Sequence, residues 1–273
     1  MKVHIWGARG SLPAPGPHTI RYGGNTSCIS ISLDKSSTLV LDAGTGLAAM
    51  GQHAPRAPHT YYLLVSHVHW DHIQGLPLFA PLMCPRNRIV FLTEPDPDMG
   101  QQAMSQFDGL RFPLCREDIE ADVRIDPRPV DHILSGLGIY VSWMQMNHTG
   151  TCTGFRIKGP SRSLVYMTDN ELGNDYEGAA FSRFVAFAGG SDVLIHDAQF
   201  VEDERECRTG WGHSFLPDVC ELAQRAQVGR LILFHHDYSR SDADIDRLCH
   251  KASSTLMPTT ACSAAREGMT FDI

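Results

Sequence analysis

A dense group of metal-binding residue types directly follows an apolar run in the first third of the chain. The run Tyr61–Val65 is typical of a buried strand, and the sequence HVHWDH begins two residues after it. Side chains alternate in direction along an extended chain, so His67 and His69 point the same way. The adjacent Asp71 and His72 can turn toward a second position. Because a strand end holds such side chains rigidly, the pattern predicts a metal centre above a sheet.

Three further residues of these types stand where later β-like runs end. They are His148, Asp169 and His235, which follow the runs YVSWMQMN, SLVYMT and RLILF. A polar turn with incidental histidines would explain one isolated pair, but it does not explain metal-binding types at four separate run ends. Imidazole and carboxylate ligands together suit zinc, with manganese or iron as alternatives.

Strand-like and helix-like patterns fill both halves of the chain. The predicted strands are Lys2–Trp6, Thr26–Leu33, Ser37–Asp42, Tyr61–Ser66, Arg88–Leu92, Gly138–Gln145, Gly154–Ile157, Ser163–Thr168, Val193–His196 and Arg230–Phe234. A helix is expected to start after His72, and others cover Tyr176–Ala188, Ser214–Ala226, with Ser214 as its cap, and Ser241–Ser253. Two strand-rich halves, each followed by helices, predict an α/β fold, a four-layer αββα sandwich. No linker is evident, so we expect one domain over residues 1–273.

The stretch Glu94–Asp118 differs from its surroundings because it is polar and carries several prolines. The pattern predicts a helix followed by a surface loop, which could form a lid. Phe107, Leu110, Phe112 and Leu114 lie in it and would be available for contact with a second subunit.

The charge and the cysteines restrict the classes of function and location. A formal net charge of −8 argues against a surface built to hold extended nucleic acid, whereas a small anionic substrate remains compatible because bound cations would dominate the local field. No apolar stretch is long enough for a signal peptide or a membrane span. The eight cysteines are scattered without a CxxC pair. We therefore expect a soluble, cytoplasmic protein.

The order of these motifs resembles the metallo-β-lactamase superfamily, in which HxHxDH is followed by a distant His, a bridging Asp and a final His. The resemblance covers nearly the whole chain. It implies that one metal ion is held by His67, His69 and His148, that a second is held by Asp71, His72 and His235, and that Asp169 bridges them. The final histidine could also be His236, and we choose His235 because it directly follows the strand.

The segment GWGHS, residues 210–214, resembles the histidine motif of a phosphodiesterase branch that contains tRNA 3′-end endonucleases and cyclic-phosphate or cyclic-nucleotide phosphodiesterases. The resemblance implies that His213 protonates the leaving oxygen and that Asp197, in IHDAQF, orients and charges it. The alternative is a helix-capping segment with an incidental histidine. Asn25 could reach substrate or satisfy a turn, and Asp42 could support a ligand histidine or act as a plain turn acid.

The resemblance implies hydrolysis of a phosphodiester by a hydroxide that the two metal ions activate, with Asp71 counted among the catalytic residues. No basic arm for gripping tRNA is evident in the sequence, so we expect a small substrate such as a cyclic nucleotide or cyclic phosphate. The alternatives are a tRNA 3′-end or other RNA phosphodiesterase, a thioesterase or lactonase, and a non-catalytic nucleotide sensor. Family resemblance also predicts a homodimer.

Overall fold

The strands of this protein form two sheets in a computed structural model that describes residues 1–273. One sheet has seven strands and the other has six. In chain order the strands are β1 (Lys2–Gly7), β2 (Cys28–Ser32), β3 (Ser37–Leu41), β4 (Thr60–Leu64), β5 (Arg88–Leu92), β6 (Asp122–Asp126), β7 (Tyr140–Gln145), β8 (Thr153–Lys158), β9 (Ser163–Met167), β10 (Val193–Asp197), β11 (Arg230–Phe234), β12 (Ala261–Ala264) and β13 (Thr270–Asp272).

Each sheet combines an antiparallel part with a parallel part. The first has the order β13-β1-β2-β3-β4-β5-β6 and is parallel from β3 to β6. The second has the order β12-β11-β10-β9-β8-β7 and is parallel from β12 to β9. Because parallel neighbours end at the same edge of a sheet, the residues that follow β9, β10 and β11 lie together at one edge of the second sheet, and the residues that follow β4 lie at an edge of the first.

Helices cover the outer faces of both sheets. In chain order they are α1 (Gly46–Gln52), α2 (Trp70–Ile73), α3 (Met99–Met104), α4 (Val130–Leu134), α5 (Ala179–Ala188), α6 (Arg205–Arg208), α7 (Leu216–Arg225) and α8 (Asp242–Thr255). Three buried apolar clusters fill the three interfaces: one between the sheets, one under α1 and α3, and one under α5, α7 and α8. The predicted four-layer αββα sandwich is confirmed. None of the helices is both long and apolar enough to cross a bilayer.

Several sequence predictions need correction. The apolar stretch after His72 forms only α2 and short 3-10 turns, since prolines interrupt it. Ser214 does not cap α7; instead its hydroxyl donates to the Asn170 carbonyl and accepts from the Leu172 amide. The cap of α8 is Ser241, whose hydroxyl accepts from the Asp244 amide. The strands β12 and β13 were missed because they are short, with four and three residues, and β6 because none of its five residues is fully buried.

The stretch Glu94–Asp118 contains α3 and a loop closed by an antiparallel bridge between Asp108 and Cys115. The predicted helix plus loop is present. Phe107 is not available for subunit contact, because its ring is buried in the core under α3. Leu110, by contrast, is 89% exposed. A lid role, a dimer contact and a single domain over the whole chain stay predictions.

Removing core volume between the two sheets should destabilise the whole fold. Ile232 is fully buried there, opposite Ile195 of the neighbouring strand. We expect Ile232→Ala to lower the free energy of unfolding by about 2–5 kcal/mol, because the lost methyl and methylene groups leave a cavity. Urea unfolding at fixed metal concentration measures the change. Ile20→Ala is the control, since Ile20 is 78% exposed and its truncation should have an effect below about 0.5 kcal/mol. Equal effects would contradict the packing described.

Candidate metal centre

The HVHWDH motif changes from extended chain to helix within itself. His69 keeps extended backbone angles and precedes α2, whose first residues are Trp70 and Asp71. The extended part directs His67 and His69 to one side of the cluster, and the helical turn brings Asp71 and His72 to the other. The seven predicted ligands therefore divide into two groups that share Asp169, and within each group the ligand atoms lie within 4.8 Å of one another.

The first group consists of three imidazoles around one point. His69 Nδ1 lies 2.9 Å from His67 Nε2 and 3.1 Å from His148 Nε2. Nitrogen atoms bound at 2.0–2.1 Å to one tetrahedral ion would be separated by roughly 3.3 Å. The spacing of the three nitrogens thus fits a single small divalent ion.

The second group combines imidazoles with a carboxylate. His72 Nε2 and His235 Nε2 are 3.3 Å apart, and Asp71 Oδ2 lies 3.3 Å from the first and 3.1 Å from the second. The Ser11 amide donates to the same Asp71 oxygen at 2.7 Å. This bond fixes the carboxylate, so the group offers a second position for a divalent ion.

Asp169 faces both groups with different oxygens. Its Oδ1 lies 3.3 Å from His72 Nε2 and 3.2 Å from His235 Nε2. Its Oδ2 lies 3.6 Å from His67 Nε2 and 3.7 Å from His148 Nε2. The residue follows β9 with a φ of 48°, a left-handed conformation that turns the side chain between the groups. The arrangement is the one a bridging carboxylate needs.

Acceptors around the histidines fix which ring nitrogen carries the proton. His72 Nδ1 lies 2.8 Å from the Asp42 carboxylate, and His148 Nδ1 lies 2.8 Å from the Gly212 carbonyl. His235 Nδ1 lies 2.8 Å from Gln199 Oε1. Since these oxygens can only accept, each Nδ1 donates, and when the ring is neutral each Nε2 has a lone pair directed into the cluster. The ring orientations therefore suit metal binding.

Asp42 has the supporting role that the sequence left open. Besides His72, its carboxylate accepts from the Ser66 amide at 2.6 Å, from the Ser66 hydroxyl at 3.0 Å and from the Tyr166 hydroxyl at 2.6 Å. The donors come from the ends of strands in both sheets. Asp42 thus joins the sheets beneath the metal motif and is not a plain turn acid.

The buried carboxylates of the cluster remain ionised. Burial opposes ionisation of Asp71, but the neighbouring His72 and a hydrogen bond from His235 outweigh it and hold the pKa of Asp71 well below its usual range. Burial likewise opposes ionisation of Asp169, yet the charges of His235 and His72 hold its pKa far below the ordinary value. Two ionised carboxylates in a buried site attract cations. The imidazole and carboxylate ligands fit divalent metal ions. This supports the predicted use of divalent metal ions, without identifying the metal.

His213 and Asp197 form a pair next to the cluster. His213 Nδ1 lies 2.8 Å from Asp197 Oδ2, and its ring stacks on that of His235 with centroids 5.0 Å apart. Burial alone would lower the pKa of His213, but the charge of Asp197 and the hydrogen bond from His213 raise it to about 9. Both ring nitrogens of His213 therefore carry a proton at neutral pH. Its Nε2 has no hydrogen-bond partner in the protein.

The loop that carries His213 is anchored by a residue that sequence reasoning missed. Both oxygens of Glu171 are used: one accepts from the Gly210 amide and the other from the Gly212 amide, each at 2.8 Å. Glu171 lies two residues after Asp169, but its spacing gave no signal, because its partners are backbone groups about 40 residues away. Gln199, which accepts from His235, was also missed, because glutamine is not a metal-ligand type and the sequence does not show its contact with His235.

His236 lies outside both ligand groups. Its Nε2 lies 2.9 Å from the Ala265 carbonyl, and its backbone pairs with Ala8 and Gly10. The choice of His235 over His236 therefore agrees with the geometry. The backbone carbonyl of Asn25 accepts from the amides of Ala8 and Arg9, and its side chain makes no hydrogen bond in the protein, so both roles of Asn25 stay predictions.

Comparison with known proteins relates this geometry to a family. Residues 37–236 match the model of the beta-lactamase superfamily domain. A ribonuclease Z from Shouchella clausii (strain KSM-K16) is 26% identical over 285 residues, which cover 86% of this chain and 86% of that protein. The crystal structure of Zn²⁺-bound PqqB from Methylobacterium extorquens superposes with a TM-score of 0.71 at 17% identity and covers 100% of both chains. A diphosphatase from the PhnP family has a TM-score of 0.68 at 15% identity and covers 100% of this chain and 97% of the other.

At these identities the two structures establish a shared fold. The expectation of a metal-dependent hydrolase agrees with the relatives. The matched range 37–236 includes both ligand groups and the His213–Asp197 pair. It also covers more than half of the chain. The chain therefore belongs to the beta-lactamase superfamily, as its metal motif predicts.

Proposed function

We propose that this protein hydrolyses a phosphodiester at two divalent metal ions, with zinc as the expected metal. The observation that carries the proposal is the His213–Asp197 pair, which lies beside two ligand groups that share Asp169. One ion would be held by His67, His69 and His148. The other would be held by Asp71, His72 and His235.

Bound divalent ions supply a site that polarises phosphate oxygens and makes hydroxide available near neutral pH. The remaining tasks belong to side chains. Asp71 and Asp169 add negative charge that holds the cations, while Asp42 and Gln199 keep His72 and His235 in their orientations.

Departure of an alkoxide is the step for which His213 is suited. An alkoxide is a poor leaving group and needs a proton as the phosphorus–oxygen bond breaks. Nε2 of His213 is the donor, while Asp197, fully buried, accepts from Nδ1 and stabilises the charged ring. A thioester hydrolase has less need of such a donor, because a thiolate leaves without a proton, so the pair favours phosphodiester chemistry over thioester hydrolysis. A lactone releases an alkoxide, so the pair does not separate lactone hydrolysis from the proposal. The complete set of ligand types disfavours a non-catalytic sensor.

A small substrate such as a cyclic nucleotide or cyclic phosphate is the finer part of the proposal. It is supported by the net charge of −8 and by the lack of a basic arm in the sequence. The second candidate is RNA cleavage, as in tRNA 3′-end processing, and the relative named ribonuclease Z favours it. The structural neighbour named a diphosphatase favours a small substrate.

The metal assignment can be tested through Gly212, whose φ is +82° and whose missing Cβ would lie 2.3 Å from His148 Nδ1. We expect two divalent ions per chain in the wild type and fewer in Gly212→Ala, because the added methyl group displaces His148. Metal analysis after reloading with Zn²⁺ measures the change. Gly210→Ala is the matched control: its φ is +85°, but a Cβ there meets nothing within 4 Å. If both variants keep two ions, His148 is not a ligand.

The proton donor can be tested with two leaving groups. We expect His213→Ala to keep its metal and to lose about 10²- to 10⁴-fold in rate on a substrate with a ribose alkoxide leaving group. The loss should be much smaller on a p-nitrophenyl ester, because the phenolate leaves without a proton. Asp197→Asn should weaken the same step, and the double variant should be less than additive. Equal losses on both substrates would remove the general-acid role, and loss of metal would make His213 a ligand.

The substrate class can be tested with a panel of 2′,3′- and 3′,5′-cyclic nucleotides, dinucleotides and an unprocessed tRNA. We expect the highest kcat/KM with a cyclic nucleotide, because the chain has no basic arm to hold the tRNA body. Metal content is measured on the same sample. Cleavage of tRNA by a preparation that leaves every cyclic nucleotide intact would favour the ribonuclease alternative.

A further inference from the structure

A cavity of about 850 Å³ lies between α2 and the segment that carries α3 and its following loop. One wall includes Val68 and Trp70 of the metal motif and Gln74, which comes directly after α2 in the chain. The opposite wall includes Gln102 and Phe112. The volume is in the range of cavities that bind small organic ligands. No step of the proposed reaction uses this cavity.

The cavity shares part of its wall with the metal motif, through Val68 and Trp70. Trp70 stands between His69 and Asp71 in the chain, and consecutive Cα atoms are about 3.8 Å apart. Its side chain is 77% exposed, which leaves much of a large aromatic surface in contact with water. The backbone that carries this ring therefore lies beside two proposed ligands.

Carboxamide groups with unused hydrogen-bonding capacity line the cavity. Gln106 donates its amide hydrogens to the carbonyls of Ile73 and Ala103, which leaves Oε1 as a free acceptor. Gln74 donates to Thr26 and also keeps Oε1 free. The Gln102 side chain makes no hydrogen bond in the protein and retains a donor and an acceptor.

The charges of the cavity disfavour an anion there. Its one cation, Arg111, lies 2.6 Å from the Asp108 carboxylate and also donates to the Ser105 carbonyl. Asp98 adds a negative charge to the lining. An aromatic ring beside neutral donors and acceptors suits a planar, uncharged heterocycle.

We propose that this cavity binds the nucleobase of a nucleotide substrate and that Trp70 stacks on the base. The inference rests on the proposed phosphodiesterase function and specifies its substrate as a nucleotide. Glutamine side chains then pair with the polar edge of the base. A base-free phosphodiester uses the metal centre but gains nothing from the cavity.

The test compares two esters with the same leaving group: thymidine 5′-(p-nitrophenyl phosphate) and methyl p-nitrophenyl phosphate. Stacking of one base predicts about a 5- to 100-fold higher kcat/KM for the thymidine ester. Trp70→Ala should remove this advantage and leave the methyl ester unchanged, and Trp70→Phe should keep most of it. Trp143→Ala is the matched control, because Trp143 is 41% exposed and lies on the edge strand β7.

The outcomes separate the inference from the proposed function. If wild type hydrolyses both esters without a thymidine advantage, or if Trp70→Ala lowers both rates equally, the base site is wrong and the phosphodiesterase proposal stands. If wild type hydrolyses neither ester, the proposed function fails and the inference fails with it. Running the same variants on a cyclic nucleotide and an unprocessed tRNA separates the two sources of the base. A Trp70→Ala loss on the cyclic nucleotide alone assigns a free nucleotide, and a loss on both assigns an RNA end as well.

Discussion

The structure depends on the burial of carboxyl groups between two sheets. Asp169 and Asp42 are almost completely removed from water, and leaving such groups without partners would cost several kcal/mol each. Asp42 meets this cost with hydrogen bonds from Ser66, His72 and Tyr166, which come from both sheets. Asp169 meets it with four imidazoles, or with the cations that they would hold. The two sheets must therefore pack in one relative position, because any sliding between them would break these contacts.

The parts of the site that sequence predicts are those encoded locally. His67, His69, Asp71 and His72 follow one apolar run, and Asp169 and His235 each stand just after another, so strand ends reveal them. The supporting residues are different. Glu171 binds two backbone amides, and Ser11 contributes its own amide to Asp71, so the chemistry that makes these residues useful does not depend on their side-chain type alone. Such contacts arise from the fold and carry no signature in the chain.

Prediction of secondary structure from the sequence also succeeds only where the local pattern is distinctive. Strands inside the sheets were recognised because both of their faces are apolar, as in β3 and β9, where every residue is buried. The edge strands β6 and β13 have partly exposed faces, so their patterns do not differ from those of loops, whereas the edge strand β7 was recognised from a run of six residues. Ser214 illustrates a further difficulty: the residue type predicts a helix cap, but its hydroxyl is used in a tertiary contact with Asn170.

The proposed chemistry and the proposed recognition of a base use different kinds of structure. Proposed ligands and the proton donor are fixed by strand ends and by buried acceptors, which limit their motion. The cavity beside Trp70 is lined on its far side by α3 and an exposed loop, whose two limbs are joined by the bridge between Asp108 and Cys115. Loops tolerate change in sequence more readily than strands that share a core. A chain of this architecture can therefore alter the substrate it accepts through the segment after β5 while the metal centre between the sheets stays the same.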